Sequence, residues 1–110
     1  MNPPTVRYSA ADGLVPAIIQ DTQSREVLML GYMNAKSLEL STTTGYVYFY
    51  SRSRGRLWKK GETSGNLLKI DAISIDCDSD TLLIEATLCG AAVCHTGSLS
   101  CFFTPIGRDV

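Results

Sequence analysis

An acidic stretch in the second half of the chain contains Asp76, Asp78 and Asp80, each separated from the next by one residue. In an extended strand alternate side chains point the same way, so these three carboxylates would share one face and Cys77 would point to the other. Three like charges this close favour a hard cation with oxygen ligands, and Mg²⁺ is the natural candidate. A solvated acidic turn without metal is the alternative for so short a pattern.

Four cysteines offer soft sulfur ligands instead. Cys94 and Cys101 enclose a short loop that could bring two thiolates to one zinc ion, with Cys77 as the third. Three protein ligands leave zinc one open position, which can hold water and lower its pKa to about 7, as in catalytic sites. The spacing is almost as compatible with a closed structural site that also uses Cys89. Reduced thiols without metal are a third alternative.

A basic segment and a glycine-rich loop could bind an anion. Arg52 and Arg54 carry guanidinium groups that suit bidentate contacts to phosphate. Lys60 begins the loop KGETSGN, in which Thr63 and Ser64 add hydroxyl donors. The alternatives are an exposed strand end and an ordinary polar turn.

Composition limits the class of protein. The chain has 110 residues, 45% of them hydrophobic, which predicts a single globular domain at residues 12–110 behind a loosely held arm at residues 1–11. A net charge of −1 argues against a nucleic-acid or membrane-surface binder that depends on bulk positive charge. The start has neither a secretory signal nor a long apolar run, so we expect a cytoplasmic protein with reduced cysteines.

Short β-forming segments separated by turn residues must position these groups. Strands are expected at 15–20, 27–33, 46–51, 67–75, 82–88 and 102–106. One helix is expected between Asn34, a good N-cap, and Gly45, which can end a helix in left-handed geometry. The pattern predicts a mainly β fold with one short α-helix, and an α+β fold is the alternative.

Eight motifs follow one another in an order typical of one enzyme family. They are DGLVP at 12–16, EVLMLGYMN at 26–34, FYSRSR at 49–54, LW at 57–58, KGETSGN at 60–66, DCDSD at 76–80, CHTG at 94–97 and SCF at 100–102. Together these motifs resemble phosphoribosyl-AMP cyclohydrolase, an enzyme of histidine biosynthesis. One departure is the segment at 90–94, which is one residue longer than the family pattern and lacks its proline.

The resemblance implies two metals and two subunits. Asp76, Asp78 and Asp80 match the magnesium ligands of the family, and three cysteines match its zinc ligands; these are Cys77, Cys94 and Cys101. It also implies a homodimer whose zinc site is shared between subunits, with the first cysteine from one chain and the later pair from the other. We therefore expect a barrel-like curled sheet in two intertwined chains.

The implied reaction is the hydrolytic opening of the C6–N1 bond in the adenine ring of 1-(5-phosphoribosyl)-AMP. His95, the sole histidine, is the first candidate proton carrier and Glu62 is the second. With Mg²⁺, the cations of Arg52, Arg54 and Lys60 would position the phosphates of this small-molecule substrate. Neither a nucleic acid nor a membrane is an expected partner.

A non-catalytic zinc module is the alternative from another class. In that case all four cysteines would close the metal site and the basic segment would contact an anionic partner. A zinc-dependent nucleobase deaminase is the nearest competing enzyme, but its His-x-Glu and Pro-Cys-x-x-Cys signature is absent from the sequence.

Overall fold

The computed structural model describes residues 4–108, which form a mainly β fold with one short helix, as predicted. In chain order the elements are β1 (Val15–Asp21), β2 (Val27–Met33), α1 (Ala35–Thr44), β3 (Tyr48–Ser51), β4 (Arg56–Lys59), β5 (Leu67–Ile75) and β6 (Leu82–Cys89). Among the described residues, no helix has the length and apolar character needed to cross a bilayer.

The expected N-terminal arm is described in part, since residues 1–3 lie outside the described range. The remainder of the arm follows the surface without forming a strand or helix. The backbone N–H of Arg7 donates to the carbonyl oxygen of Ser79 at 2.7 Å, and that of Ser9 donates to Leu14 at 3.0 Å. The arm thus lies beside the turn that carries the three aspartates.

Four strands form one sheet in the order β2-β1-β6-β5. Strand β1 runs antiparallel to β2 and parallel to β6, and β6 runs antiparallel to β5. Strands β3 and β4 form a separate antiparallel hairpin, linked to β5 by an isolated bridge between Tyr46 and Lys69. The expectation of a barrel-like sheet is wrong for the described chain, because β2 and β5 stay the two edges of an open sheet.

Two strand predictions fail for the same physical reason. Residues 102–106 were expected to form a strand but adopt no regular structure, and Phe102 and Ile106 are exposed there. Strand β4 was not expected, yet it pairs with β3 from Tyr48–Lys59 to Ser51–Arg56. Pairing with a neighbour, more than local propensity, decides whether such short segments become strands.

The core lies under one face of the four-stranded sheet. Val15, Ala17 and Ile19 alternate along β1 and are almost fully buried. The ring of Phe49 reaches this core across Gly31 of β2, where an added Cβ would lie 2.5 Å from the ring carbon Cε1. A glycine at this position therefore allows the β3–β4 hairpin to pack closely against the sheet.

Helix α1 has the end signals that the sequence predicted. Asn34 Oδ1 accepts from the backbone N–H of Ser37 at 2.8 Å, and Ser37 Oγ accepts from the N–H of Asn34 at 2.8 Å. Gly45 ends the helix with φ of 81° and donates its N–H to Ser41 O. The buried Ser41 hydroxyl accepts from Tyr48 N at 2.9 Å, which fastens α1 to β3.

Replacing the cap tests how much this helix end contributes to stability. We expect Asn34→Ala to lower the free energy of unfolding by about 1 kcal/mol, because the N–H of Ser37 loses its side-chain acceptor. Asn34→Asp keeps an acceptor and should stay close to wild type. Urea denaturation of the three proteins measures the difference; equal midpoints for Asn34→Ala and wild type would show that the cap contributes nothing.

Candidate active site

The three aspartates lie in the acidic turn, residues 76–81, which joins β5 to β6. One carboxylate oxygen from each of Asp76, Asp78 and Asp80 lies within 4.8 Å of the others, and all three residues are exposed. The chain is not extended here, as the sequence argument assumed, but turns sharply, with Ser79 at a φ of 62°. The carboxylates therefore converge because the backbone turns, and not because they alternate along a strand.

Asp76 holds the acidic turn together. Its Oδ1 accepts from the backbone N–H of Asp80 at 3.0 Å and of Thr81 at 3.2 Å. The hydrogen bond from the Asp80 N–H lowers the pKa of the Asp76 carboxyl below its ordinary value, so the group keeps its charge in mildly acidic solution. Three close oxygen donors of this kind match what Mg²⁺ or another hard cation requires.

The cysteine loop, residues 90–101, follows β6 and folds back over the start of β2. Val93 is buried in the core, which anchors the loop beside Cys94. At the other end the Ser100 hydroxyl donates to the carbonyl oxygen of Val27 at 2.7 Å, and the N–H of Cys101 donates to Leu28 at 2.7 Å. The loop is thus held to the rest of the fold by packing at Val93, beside Cys94, and by hydrogen bonds at Ser100 and Cys101.

The thiols of Cys94 and Cys101 are close enough to influence each other's pKa, in opposite directions. The Thr96 hydroxyl, 3.1 Å from the Cys94 sulfur, lowers the pKa of Cys94 below that of an ordinary thiol. Burial raises the pKa of Cys101, and the nearby Cys94 thiolate raises it further. A cation shared by the two sulfurs would relieve the repulsion between their thiolates.

The third predicted sulfur ligand, Cys77, is not gathered with these two. Within residues 4–108 the aspartate trio is the one group of three potential ligands that comes together. Cys77 follows β5 in the acidic turn, at the Leu82 end of β6, whereas the cysteine loop begins at the Cys89 end. The seven residue steps of β6 between those ends span about 23 Å.

Cys89, the extra thiol, takes no part in the Cys94–Cys101 pair. It is exposed, and its sulfur contacts the carbonyl oxygen of Thr87 at 3.8 Å. The described chain therefore does not assemble the closed four-cysteine site that the sequence left open.

A cleft of about 200 Å³ opens beside the β3–β4 hairpin. Its walls contain five of the residues predicted to bind substrate or carry protons; they are Arg54, Lys60, Glu62, Thr63 and Ser64. The Lys60 ammonium lies 5.9 Å from the ring of Trp58. Trp58 also packs against Phe49, with ring centroids 5.4 Å apart. The cleft combines cations, hydroxyls and an aromatic surface, as a nucleotide site requires.

Arg52 lies outside this cleft, whereas Arg56 lies in its wall. The guanidinium of Arg52 stacks on the ring of Tyr32 at 3.9 Å and is not among the residues that line the cleft. Arg56 does line the cleft, although it was not among the predicted site residues. Alternation along β4 explains this, because Arg56, Trp58 and Lys60 are two residues apart. This two-residue spacing could have assigned Arg56 to the cleft only if β4 had first been predicted as a strand.

The two candidate proton carriers are both exposed. His95 Nδ1 lies 4.0 Å from the Cys94 sulfur, so the imidazole is adjacent to a candidate metal ligand. Glu62 stands in the cleft wall, where its Oε2 accepts weakly from the N–H of Lys59 at 3.4 Å. The structure thus places His95 beside the sulfur pair and Glu62 among the cations.

Comparison with known proteins gives one consistent result. The sequence model of the family described as phosphoribosyl-AMP cyclohydrolase matches residues 29–103. A phosphoribosyl-AMP cyclohydrolase of Listeria innocua is 58% identical over 96% of this chain and 97% of its own length. One from Clostridium botulinum is 54% identical over 92% of this chain and 91% of its own length. The histidine biosynthesis bifunctional protein HisIE of Caldanaerobacter subterraneus is 56% identical over 88% of this chain but 47% of its own length.

Proposed function

Since the chain belongs to the phosphoribosyl-AMP cyclohydrolase family, and is thereby a hydrolase of histidine biosynthesis, we propose that it opens the adenine ring of 1-(5-phosphoribosyl)-AMP at the C6–N1 bond. Water adds to C6, the bond from C6 to N1 breaks, and a proton must reach N1 as it leaves. The observation that carries this proposal is the cysteine pair beside a cationic, aromatic cleft. These two features supply the metal ligands and the nucleotide contacts that the reaction requires.

Cys77, Cys94 and Cys101 are the proposed zinc ligands. Zinc with three protein ligands lowers the pKa of a bound water to about 7 and so supplies a nucleophile at neutral pH. The pair of Cys94 and Cys101 fits this role, because the lowered pKa of Cys94 favours the thiolate that binds zinc. Thiolates must stay reduced to bind the metal, which suits a cytoplasmic protein.

The site is proposed to be completed by a second copy of the chain. Cys77 and the cysteine loop lie at opposite ends of β6, so Cys77 of a partner subunit would provide the missing sulfur. The C-terminal segment supports a dimer, because its large apolar side chains are exposed; Phe102 is 64% accessible, Phe103 55% and Ile106 105%. Exposed apolar clusters of this kind mark surfaces that pack against another protein.

Binding and proton transfer are assigned to the remaining groups. The cations of Arg54 and Lys60, with the hydroxyls of Thr63 and Ser64, would hold the phosphates and ribose of the substrate. The aspartate trio would hold Mg²⁺, which neutralises a phosphate brought to the same place. His95 is the first candidate to deliver the proton to N1, because its imidazole stands beside a proposed ligand and imidazole is the commonest general acid in enzymes.

The first test compares two cysteine variants. The wild-type chain should convert phosphoribosyl-AMP to a ring-opened product, seen by absorbance, and a chelator should stop the conversion. Cys94→Ala should lose both zinc and turnover, because one of three sulfur ligands is gone. Cys89→Ala is the matched control and should keep both, since its thiol is outside the proposed site.

Zinc content and turnover are measured on the same preparations. Full zinc content in Cys94→Ala would refute the ligand assignment. Loss of zinc in Cys89→Ala alone would instead favour a site built around that thiol. A wild-type chain without any conversion of the nucleotide would refute the proposed reaction.

The second test asks whether the zinc site is shared between subunits. Cys77→Ala and Cys94→Ala should each be inactive alone, but co-expressed subunits should regain about a quarter of the wild-type activity. Half of randomly paired dimers are mixed, and one of their two symmetry-related sites then has all three cysteines. Activity per subunit in the purified mixture measures this recovery.

The matched control mixes Cys94→Ala with Cys101→Ala. Both lesions remove ligands contributed by the same loop, so neither site of a mixed dimer is complete and no activity should return. An inactive mixture of Cys77→Ala with Cys94→Ala, in which mixed dimers are verified by tags, would contradict the shared site.

A further inference from the structure

Two hydrogen bonds join the cysteine loop to the cleft loop, residues 60–66. Asn66 Oδ1 accepts from the backbone N–H of Ala91 at 3.0 Å. The Lys60 ammonium donates to the carbonyl oxygen of Val93 at 2.6 Å. The last β5–β6 pair, Leu67 with Cys89, leads directly into both loops. The wall of the cleft and the segment that presents Cys94 are therefore fastened to each other at two points.

Asn66 is held tightly where the two loops meet. A Cβ on Gly61 would collide with the carbonyl group of Asn66, and a Cβ on Gly90 would lie 2.8 Å from the Asn66 Cα and closer still to its Oδ1. Both glycines also have positive φ, 86° and 152°. The N–H of Asn66 donates to Ser64 Oγ at 3.2 Å. Asn66 thus occupies a place that is open only because residues 61 and 90 have no side chain.

We propose that Asn66 is a positioning residue, which sets the distance between the substrate cleft and the Cys94–Cys101 thiol pair. It acts through the Ala91 amide and does not itself touch the reacting atoms. This inference rests on the proposed function, because it takes the cleft and the thiol pair to serve one reaction. In that reaction C6 of the bound ring must reach the nucleophile, and an error of about 1 Å in such placement costs about a hundredfold in rate.

The bond from Ala91 to Asn66 contributes more to geometry than to stability. Ala91 is exposed, so water can replace the amide acceptor when the Asn66 side chain is removed. Loss of the bond therefore leaves the fold intact but frees the start of the cysteine loop. The effect should appear in zinc affinity and in turnover, because outer contacts that orient metal ligands typically change affinity by about 10- to 100-fold.

Three variants separate positioning from general destabilisation. Asn66→Ala removes the acceptor, Asn66→Asp keeps an oxygen at the same place, and Asn34→Ala removes an unrelated cap at the start of α1. Hydrogen exchange of the Ala91 amide by NMR reports the bond itself. Competition with a chromophoric chelator gives the zinc dissociation constant, and steady-state kinetics on phosphoribosyl-AMP give kcat and KM.

Asn66→Ala should exchange the Ala91 amide faster, weaken zinc binding about tenfold and lower kcat by a similar factor. Asn66→Asp should recover most of both losses. Asn34→Ala should unfold at lower urea concentration yet keep wild-type zinc affinity and kcat under folding conditions. A loss of zinc affinity and kcat in Asn66→Ala but not in Asn34→Ala distinguishes a positioning role from a merely structural one.

Two results would overturn the inference. One is an Asn66→Ala protein with faster Ala91 exchange but unchanged zinc affinity and kcat. The other is an equal loss of zinc affinity in Asn34→Ala and Asn66→Ala. A wild-type chain that binds zinc but does not turn over the nucleotide would refute the proposed function instead, and the zinc affinities would still decide the role of Asn66.

Discussion

The β5–β6 hairpin keeps the two sets of candidate metal ligands apart. Its backbone pairs run from Leu67–Cys89 at one end to Ile75–Leu82 at the other. The bulge at Asp71 is itself tied down, because the hydroxyls of Thr22 and Thr87 donate to its carboxylate at 2.5 and 2.7 Å. Hydrogen bonds along the whole of β5 and β6 keep both strands extended. One chain therefore cannot bring the acidic turn to its own cysteine loop. The proposed partner subunit would unite them.

Within one chain, the aspartate trio and the Cys94–Cys101 thiol pair lie at opposite ends of the sheet. Oxygen ligands gather in an exposed turn, where backbone N–H groups hold the Asp76 carboxylate in its charged form. The thiols of Cys94 and Cys101 lie in a loop that is anchored by Val93 and Ser100, and the Thr96 hydroxyl contacts the Cys94 sulfur. The aspartate trio would therefore suit a hard cation, and the pair of Cys94 and Cys101 a softer one.

Local signals predicted those parts of the fold that depend on local bonds. Asn34 and Gly45 mark the ends of α1 because a cap needs a side-chain acceptor and a helix end needs positive φ. Strand β4 was missed and residues 102–106 were overpredicted, because pairing partners decide both. The aspartate trio was predicted to converge, but its turn geometry was not. Asn66 could not be found as a contact of Ala91, since nothing in the spacing shows that two distant loops meet.

X-ray absorption at the zinc edge of the zinc-loaded protein tests most directly the proposed site of three cysteines and one open position, because it counts the sulfur and lighter atoms bound to the metal. Three sulfur neighbours and one lighter atom are the predicted result, as expected for a site with an exchangeable fourth position. Four sulfur neighbours would mean that Cys89 closes the site, and would contradict a hydrolytic role for the metal.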